Sequence, residues 1–349
     1  MNVIVYRTGH LGDTICAVPS FRRLRSHFRD EKLVLLCDDP AKGKAASSEI
    51  AGRLGIFDRI VTYRSGDGWR TFRDLAGIVK QIRPDIVFSL PQVKAPRRAL
   101  RKQKLFFRLF GVRKLLGFDM PLYKGGRLLN EPQRLAEILD RERIAGGAFG
   151  YDFPEDLTAK KSVRQKLAFV GINEERPYIV FCGGGKTQTQ HWPLDRYATV
   201  LEQLYAHFGI QIIGIGSPAE LSSFKREILP VFPQLKIFSS SLAIGELIEL
   251  MRDATCYIGN DTGPMHLSAA VGRPVVAIIS ARNRFCLWDP DIEQRLIFRH
   301  RTACEGCWAD VCPHGHHNCM RLIQVAEILP EIIDFMKRPY DSRFKKYNS

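Results

Sequence analysis

Val3 to Tyr6 are a short apolar run, and beyond them Ile15, Val18, Phe21 and Leu24 recur at three-residue steps. That pattern predicts a buried strand followed by a helix over residues 13–28. The alternation continues, with strands at 32–37, 59–63 and 85–89 and helical stretches near 41–54 and 69–82. Strands separated by helices need crossover connections, so the amino-terminal half reads as an open parallel sheet.

A polar, glycine-containing passage at 145–156 and a short helical stretch at 158–169 precede the next apolar strand, at 178–182. Strands at 210–215, 235–238, 256–258 and 274–279 then alternate with helices at 194–208, 219–229, 244–252 and 264–271. The expected organisation is one domain at 1–156, a linker at 157–176, a second domain at 177–322, and a closing helix and polar tail at 323–349. Two doubly wound domains in tandem place ligands outside the carboxyl ends of their strands, which predicts a cleft between the halves.

The length, 349 residues, suits two such domains, and 45% hydrophobic with 26% charged residues excludes collagen-like, coiled-coil and wholly disordered chains. Apolar runs such as 275–279 fall far short of the ~20 residues that span a bilayer. The start of the chain enters a strand with no secretory signal pattern, so the expected address is the cytoplasm. Lys and Arg outnumber Asp and Glu by 52 to 37, a formal charge of +15, which favours an anionic partner without choosing among nucleic acid, acidic lipid and phosphorylated substrate.

Three loops carry candidate chemistry. Gly9-His10-Leu11-Gly12-Asp13-Thr14 joins the first strand to the first helix, its glycines allowing a sharp turn and Asp13 standing as a helix cap or as more than a cap. It is neither a dinucleotide fingerprint nor a P-loop. Gly259-Asn260-Asp261-Thr262-Gly263-Pro264-Met265-His266 is a second strand-to-helix junction, where backbone amides and the helix dipole suit a diphosphate. Gly183-Gly184-Gly185-Lys186, followed by Gln190-His191-Trp192-Pro193, lets backbone approach an anion that Lys186 can reach.

These residues resemble a known family. Gly9-x-x-Gly12-Asp13, His191-Trp192-Pro193 after a glycine loop, and Asn260 through Leu267-x-Ala269-Ala270 before Gly272-x-Pro274 are similar to the heptosyltransferases of lipopolysaccharide core assembly, glycosyltransferase family 9, in order and spacing over essentially the whole chain. The resemblance implies a GT-B fold of the α/β class, two Rossmann-like domains facing a central cleft. It implies an inverting transfer of a sugar, typically heptose from ADP-heptose, to a hydroxyl of an acceptor glycolipid, with no catalytic metal. By position Asp13 is the implied general base. Gly12, Thr14, Gly183, Gly184, Lys186 and Gln190 are implied donor contacts, as are His191, Glu220, Asp261, Thr262, Gly263 and His266. Many members carry Lys or Arg where this chain has Gln190, so either Lys186 supplies that charge or the donor is held differently.

Two further features stand apart. Residues 94–114 hold nine basic and no acidic side chains, among them Arg97, Arg98, Arg101 and Lys102, interleaved with Leu105, Phe106, Phe107, Leu109 and Phe110. An amphipathic basic segment with exposed Phe suits an anionic glycolipid and the inner-membrane surface, with a nucleic-acid groove as the weaker rival. Cys304, Cys307, Cys312 and Cys319 offer enough ligands for a tetrahedral structural Zn or Fe; a redox-labile pair and plain thiols are the other readings. Against the glycosyltransferase stand a nucleotide-sugar epimerase of the same fold, which needs an acidic pair acting on the sugar ring, and a basic metal- and nucleic-acid-binding protein.

Overall fold

The computed structural model describes residues 1–39, 47–66, 68–93, 95–119, 123–124, 127–147, 150–173, 175–238 and 242–338, with residues 39, 123 and 124 placed by backbone alone. The chain divides into two compact units, Met1–Pro154 and Glu155–Ser349.

In the first unit β1 (Asn2–Tyr6), α1 (Leu11–His27), β2 (Lys32–Asp39), α2 (Ser47–Arg53), β3 (Arg59–Arg64), α3 (Trp69–Ile82), β4 (Ile86–Ser89), α4 (Arg97–Leu109) and β5 (Lys114–Leu116) alternate. A two-residue-stranded hairpin, β6 (Tyr123–Lys124) with β7 (Arg127–Leu128), leads into α5 (Glu131–Arg141). The sheet is parallel in the order β3-β2-β1-β4-β5. Its central strands are apolar and buried on both faces, as helix-covered parallel strands must be. The helix expected at 41–54 is shorter, and residues 40–46 lie outside the described ones.

The hairpin, β5 and α5 were not anticipated. β5 begins where the basic segment was expected to end; Gly111, at φ +83°, stops the helix and turns the chain back to the sheet edge. α5 had a readable signal: Asn130 accepts the Gln133 N–H at 3.0 Å, Pro132 lies in the first turn, and Leu135, Ile138 and Leu139 are buried along one face.

The second unit opens with α6 (Leu157–Phe169), inside the stretch expected as a linker. Ser162 and Lys166 bond to Glu246 at 2.6 and 2.7 Å, and so tie α6 to a later helix of the same unit. There follow β8 (Tyr178–Cys182), α7 (Leu194–Phe208), β9 (Gln211–Gly214), α8 (Pro218–Glu227), β10 (Lys236–Ile237), α9 (Ile244–Asp253), β11 (Cys256–Asn260), α10 (Gly263–Ala270), β12 (Val275–Ile278), β13 (Arg295–Phe298), α11 (Asn318–Arg321) and α12 (Val325–Lys337). The parallel order β10-β9-β8-β11-β12-β13 is the doubly wound 3-2-1-4-5-6 arrangement. Ile332, Phe335 and Met336 of α12 lie in the same core as Ile179, Leu201 and Ile258, so the closing helix is part of this unit's packing. The polar tail at 339–349 lies outside the described residues.

Both sheets reverse their strand order beside their first strand, between β1 and β4 and between β8 and β11. Such switch points open crevices at the carboxyl ends of the strands. The loops after β1, β8 and β11 are the three that the sequence singled out.

Candidate active site

In the first unit the chain leaves β1 through Arg7 and turns at Gly9. Gly9 has φ +144°, and a Cβ on it would lie 2.6 Å from Asp13 Cβ, so conformation and space both require glycine. The turn is clamped: Gly9 N–H donates to Asp38 Oδ1 at 2.9 Å and Ser47 Oγ donates to Gly9 O at 2.8 Å. The helix starts at Leu11, two residues earlier than the periodicity indicated. His10 is therefore the N-cap, and Asp13, expected there, is the third helical residue, its Oδ2 accepting the His10 N–H at 2.9 Å. The Asp13 side chain keeps 17% exposure. Gly12 is half-buried in the first turn. Thr14 is fully buried, its hydroxyl 3.0 Å from His10 O and 2.7 Å from Ser47 Oγ, so its side chain braces the turn.

In the second unit the loops after β8 and β11 are tied together by neutral amides. Asn260 is fully buried; its Nδ2 donates to Gly183 O at 2.7 Å and Gly184 O at 2.9 Å, while its Oδ1 accepts from Tyr197 at 2.6 Å. Gln190 donates to Asp261 O at 2.7 Å and accepts from Thr187 Oγ1 at 3.0 Å. A carboxamide at this position thus links the two loops, while the exposed Lys186 carries the only charge in its own loop from 183 to 190. The Glu220 carboxylate accepts from Gly185 N at 2.7 Å and Ser217 N at 2.6 Å, and a Cβ on Gly184 would fall 1.8 Å from its Oε1. His191, exposed, sets Nε2 2.9 Å from Gly185 O.

Asp261 is buried at the end of this crevice, with Oδ2 3.2 Å from Asn283 Nδ2 and Oδ1 3.6 Å from His266 Nε2. His266 is buried and meets the Trp288 ring edge-on at 5.9 Å. Thr262, extended, precedes α10, and its hydroxyl is 3.1 Å from Tyr257 Oη. The amide cradle is narrower than the sequence indicated: Pro264 has no N–H, and the Met265 and His266 amides turn back to Thr262 O, which leaves Gly263 to present its amide. Beneath the loop burial and the Glu220 charge push the Cys182 thiol up to about 12, so it is a neutral group. Asn260, Asn283 and Thr187 as shaping residues escaped sequence reasoning. Asn260 sat inside a recognised motif, but the other two carry no local signal.

The four cysteines of the 304–319 segment lie in the second unit. Among the described residues no three or more His, Cys, Asp or Glu side chains converge to hold a metal ion. Cys319, within α11, is buried, Cys304 and Cys312 are half-buried and Cys307 is exposed; burial raises the Cys319 thiol's pKa, and Cys304, Cys312 and Cys307 lie close enough to raise it further. His317, between them, instead reaches Thr189 O at 3.1 Å, and burial lowers its pKa and keeps it neutral.

The basic segment forms α4, with Arg97, Arg98, Arg101 and Lys102 exposed; Lys94 lies outside the described residues. The exposed phenylalanines expected there are not exposed: Phe107 is buried, and Phe106 and Phe110 pack against Phe72 of α3 at 5.3 and 5.9 Å. The apolar surface comes instead from Leu105 (58%), Leu109 (72%) and, on α3, Trp69 (73%) stacked on Phe72.

Comparison with known proteins agrees with this architecture. The model of glycosyltransferase family 9 (heptosyltransferase) matches residues 133–314. Lipooligosaccharide heptosyltransferase 2 of Campylobacter jejuni is 21% identical over 97% of this chain and 100% of its own length. The protein of that name from Haemophilus influenzae is 31% identical, over 34% of each chain. The crystal structure of a family 9 glycosyltransferase from Veillonella parvula superposes with a TM-score of 0.75 at 16% identity, covering 96% of this chain and 97% of that one. The iron-containing dodecameric glycosyltransferase TibC from enterotoxigenic E. coli has a TM-score of 0.57 at 16% identity, over 97% of this chain and 77% of its own. The fold is GT-B and the protein is a glycosyltransferase. The chain belongs to glycosyltransferase family 9, the heptosyltransferases.

Proposed function

We propose that this enzyme moves a heptose from ADP-heptose to a hydroxyl of a lipopolysaccharide-core acceptor with inversion at the anomeric carbon. The observation that carries the reading is the chemical contrast between the two crevices. The first unit offers a clamped, partly exposed carboxylate, and the second a glycine-lined loop pair with a helix N-terminus. The relatives' names supply the sugar and the acceptor class.

The first domain takes the acceptor and the second the nucleotide donor. Asp13 accepts the proton of the acceptor hydroxyl as its oxygen bonds to the sugar carbon, which makes that hydroxyl strongly acidic. Gly12, Gly183, Gly184, Gly263 and Thr262 bring backbone and hydroxyl groups to the donor, Lys186 meets its diphosphate, and Asp261, His266, Gln190, His191 and Glu220 surround its sugar and nucleoside. Fixed amides and a cation stabilise the departing diphosphate, so no catalytic metal is needed.

Among the described residues no helix is long and apolar enough to cross a membrane. The basic α4 and the exposed Trp69, Leu105 and Leu109 suit an anionic glycolipid at the inner-membrane surface, where each cation contributes ~1 kcal/mol. The enzyme thus works at the cytoplasmic side of that membrane as a peripheral protein.

Incubation with ADP-heptose and a delipidated phosphorylated core acceptor, with the product's anomeric configuration read by NMR, tests the reaction. Transfer with inversion, undiminished by a chelator, is expected. Conversion of free nucleotide-sugar to an epimer without acceptor would favour the epimerase reading. Reversal of Arg97, Arg98 and Arg101 to Glu should weaken binding to anionic vesicles and leave ADP affinity unchanged. Tighter binding of the parent to single-stranded nucleic acid than to vesicles would favour the rival surface.

A further inference from the structure

Beneath Asp13 lies a group of charges that the proposed reaction does not use. Arg7, 1% exposed, follows β1; its Nη1 donates to Leu90 O and Pro91 O at 3.0 and 3.2 Å, in the loop after β4. Its Nη2 donates to the backbone carbonyl of Asp13 at 2.9 Å and to Glu131 Oε1 at 3.1 Å, and lies 3.9 Å from Asp13 Oδ1. Glu131, fully buried as the first residue of α5, is held in turn by Arg134, whose Nε and Nη2 reach it at 2.7 and 2.8 Å while Nη2 also bonds Pro91 O at 2.5 Å.

Burying three charges is costly, and well-packed apolar residues often serve stability as well or better. The arrangement has a direction, however. Arg134 and Glu131 fix one end of the Arg7 guanidinium, the β4 loop carbonyls fix another, and the remaining edge meets the first turn of α1 at Asp13. Two cations and one carboxylate also leave one positive charge, and it sits beside the Asp13 carboxylate. A planar guanidinium can hold four such partners at once; an ammonium cannot.

We infer that Arg7 is a positioning residue for Asp13, and that the buried Glu131–Arg134 pair orients Arg7 for that task. This rests on the reading of Asp13 as the base. A base displaced by about 1 Å can lose ~10²-fold in rate, so the network sets kcat and not donor binding.

The test uses the full chain with ADP-heptose and the core acceptor, on Arg7→Lys, Asp13→Asn, the double variant, and Leu139→Ala. Leu139 is a buried apolar residue of α5, more than one turn beyond Arg134 and without a charge or hydrogen bond to the group, and its truncation supplies a loss of Tm for comparison. Arg7→Lys should lower kcat 10- to 100-fold with the donor KM within twofold, while Leu139→Ala keeps kcat within threefold below its Tm. In the Asp13→Asn background Arg7→Lys should add nothing, because it acts through a carboxylate that is gone. If Arg7→Lys does not fold, Glu131→Gln/Arg134→Leu, which leaves the net charge of the group unchanged, is read in the same way. Full turnover by Asp13→Asn would overturn the base reading itself. An inactive Asp13→Asn beside an Arg7→Lys enzyme with parental kcat, or an equal Arg7→Lys loss in both backgrounds, would overturn the positioning role alone.

Discussion

The two strand-to-helix junctions that follow β1 and β11 share a topology and differ in what lies behind them. Behind Asp13 are buried charges, Arg7, Glu131 and Arg134, and the carboxylate itself remains partly exposed. Behind Asp261 are neutral groups, Asn260, Asn283 and Gln190, and the carboxylate is buried. A group that must take a proton and return it needs one fixed position and access to its partner. A cradle for a leaving diphosphate needs donors that are already in place and need not reorganise. Under the proposed reaction the same doubly wound switch point serves two kinds of chemistry, one over a charged layer and one over a neutral layer.

The largest effect that could break this contrast is in the carboxylates themselves. Asp13→Asn should fold and bind ADP as the parent does but lose about 10²- to 10⁴-fold in transfer rate, measured by single-turnover kinetics. Asp261→Asn should act mainly on donor affinity; equal and purely catalytic losses at both would erase the distinction. Next in size is Asn260→Ala, which leaves Gly183 O, Gly184 O and the Tyr197 hydroxyl without their partner. Each stranded group costs ~1–3 kcal/mol, so a fall in Tm together with weaker ADP binding by calorimetry is expected.

Acid should separate the junctions further. Burial pushes the Glu131 carboxyl up, but Arg134 and Arg7 outweigh it and hold it below its ordinary 4.5. With the folded value below the unfolded one, its contribution is complete above about 4.5 and is lost as pH falls through the folded value, because the unfolded chain takes up the proton first. Protection of the α5 amides, corrected for the intrinsic exchange rate, should therefore fall on acidification below about 4.5, and Glu131→Gln should flatten that dependence. A parent and variant with parallel pH profiles would speak against the buried charges as the support of the first junction. The smallest effect is expected from Asn283→Ala, a few-fold weakening of ADP-sugar binding, since it removes one long hydrogen bond, 3.2 Å, to Asp261.

Much of this protein is local enough to read along the chain. Apolar period placed α3 at Trp69–Ile82, β8 at Tyr178–Cys182 and α7 at Leu194–Phe208, because side-chain direction within one element depends only on near neighbours. Glycine loops between strand and helix marked the three crevice segments for the same reason, and the family motif could be recognised there. The short edge strands β5 and β13 were invisible, since three or four residues carry too little pattern and only the neighbouring strand defines them.

What the tertiary structure decided is which side chains meet. Arg7 finds Glu131 across 124 positions and Asn260 finds Gly183 across 77, distances over which no spacing rule operates. The four cysteines show the opposite outcome: clustered in sequence, they stay neighbours in the fold, where Cys304, Cys312 and Cys307 act on the buried Cys319 thiol. The apolar face of the basic region moved, from Phe107 to Trp69 and Leu109, once α3 packed its Phe72 against Phe106 and Phe110. Sequence thus determined the elements and the chemical types at each loop. Burial and long-range pairing, which depend on the whole fold, determined which of those groups are held still, which are covered, and which remain open to a substrate.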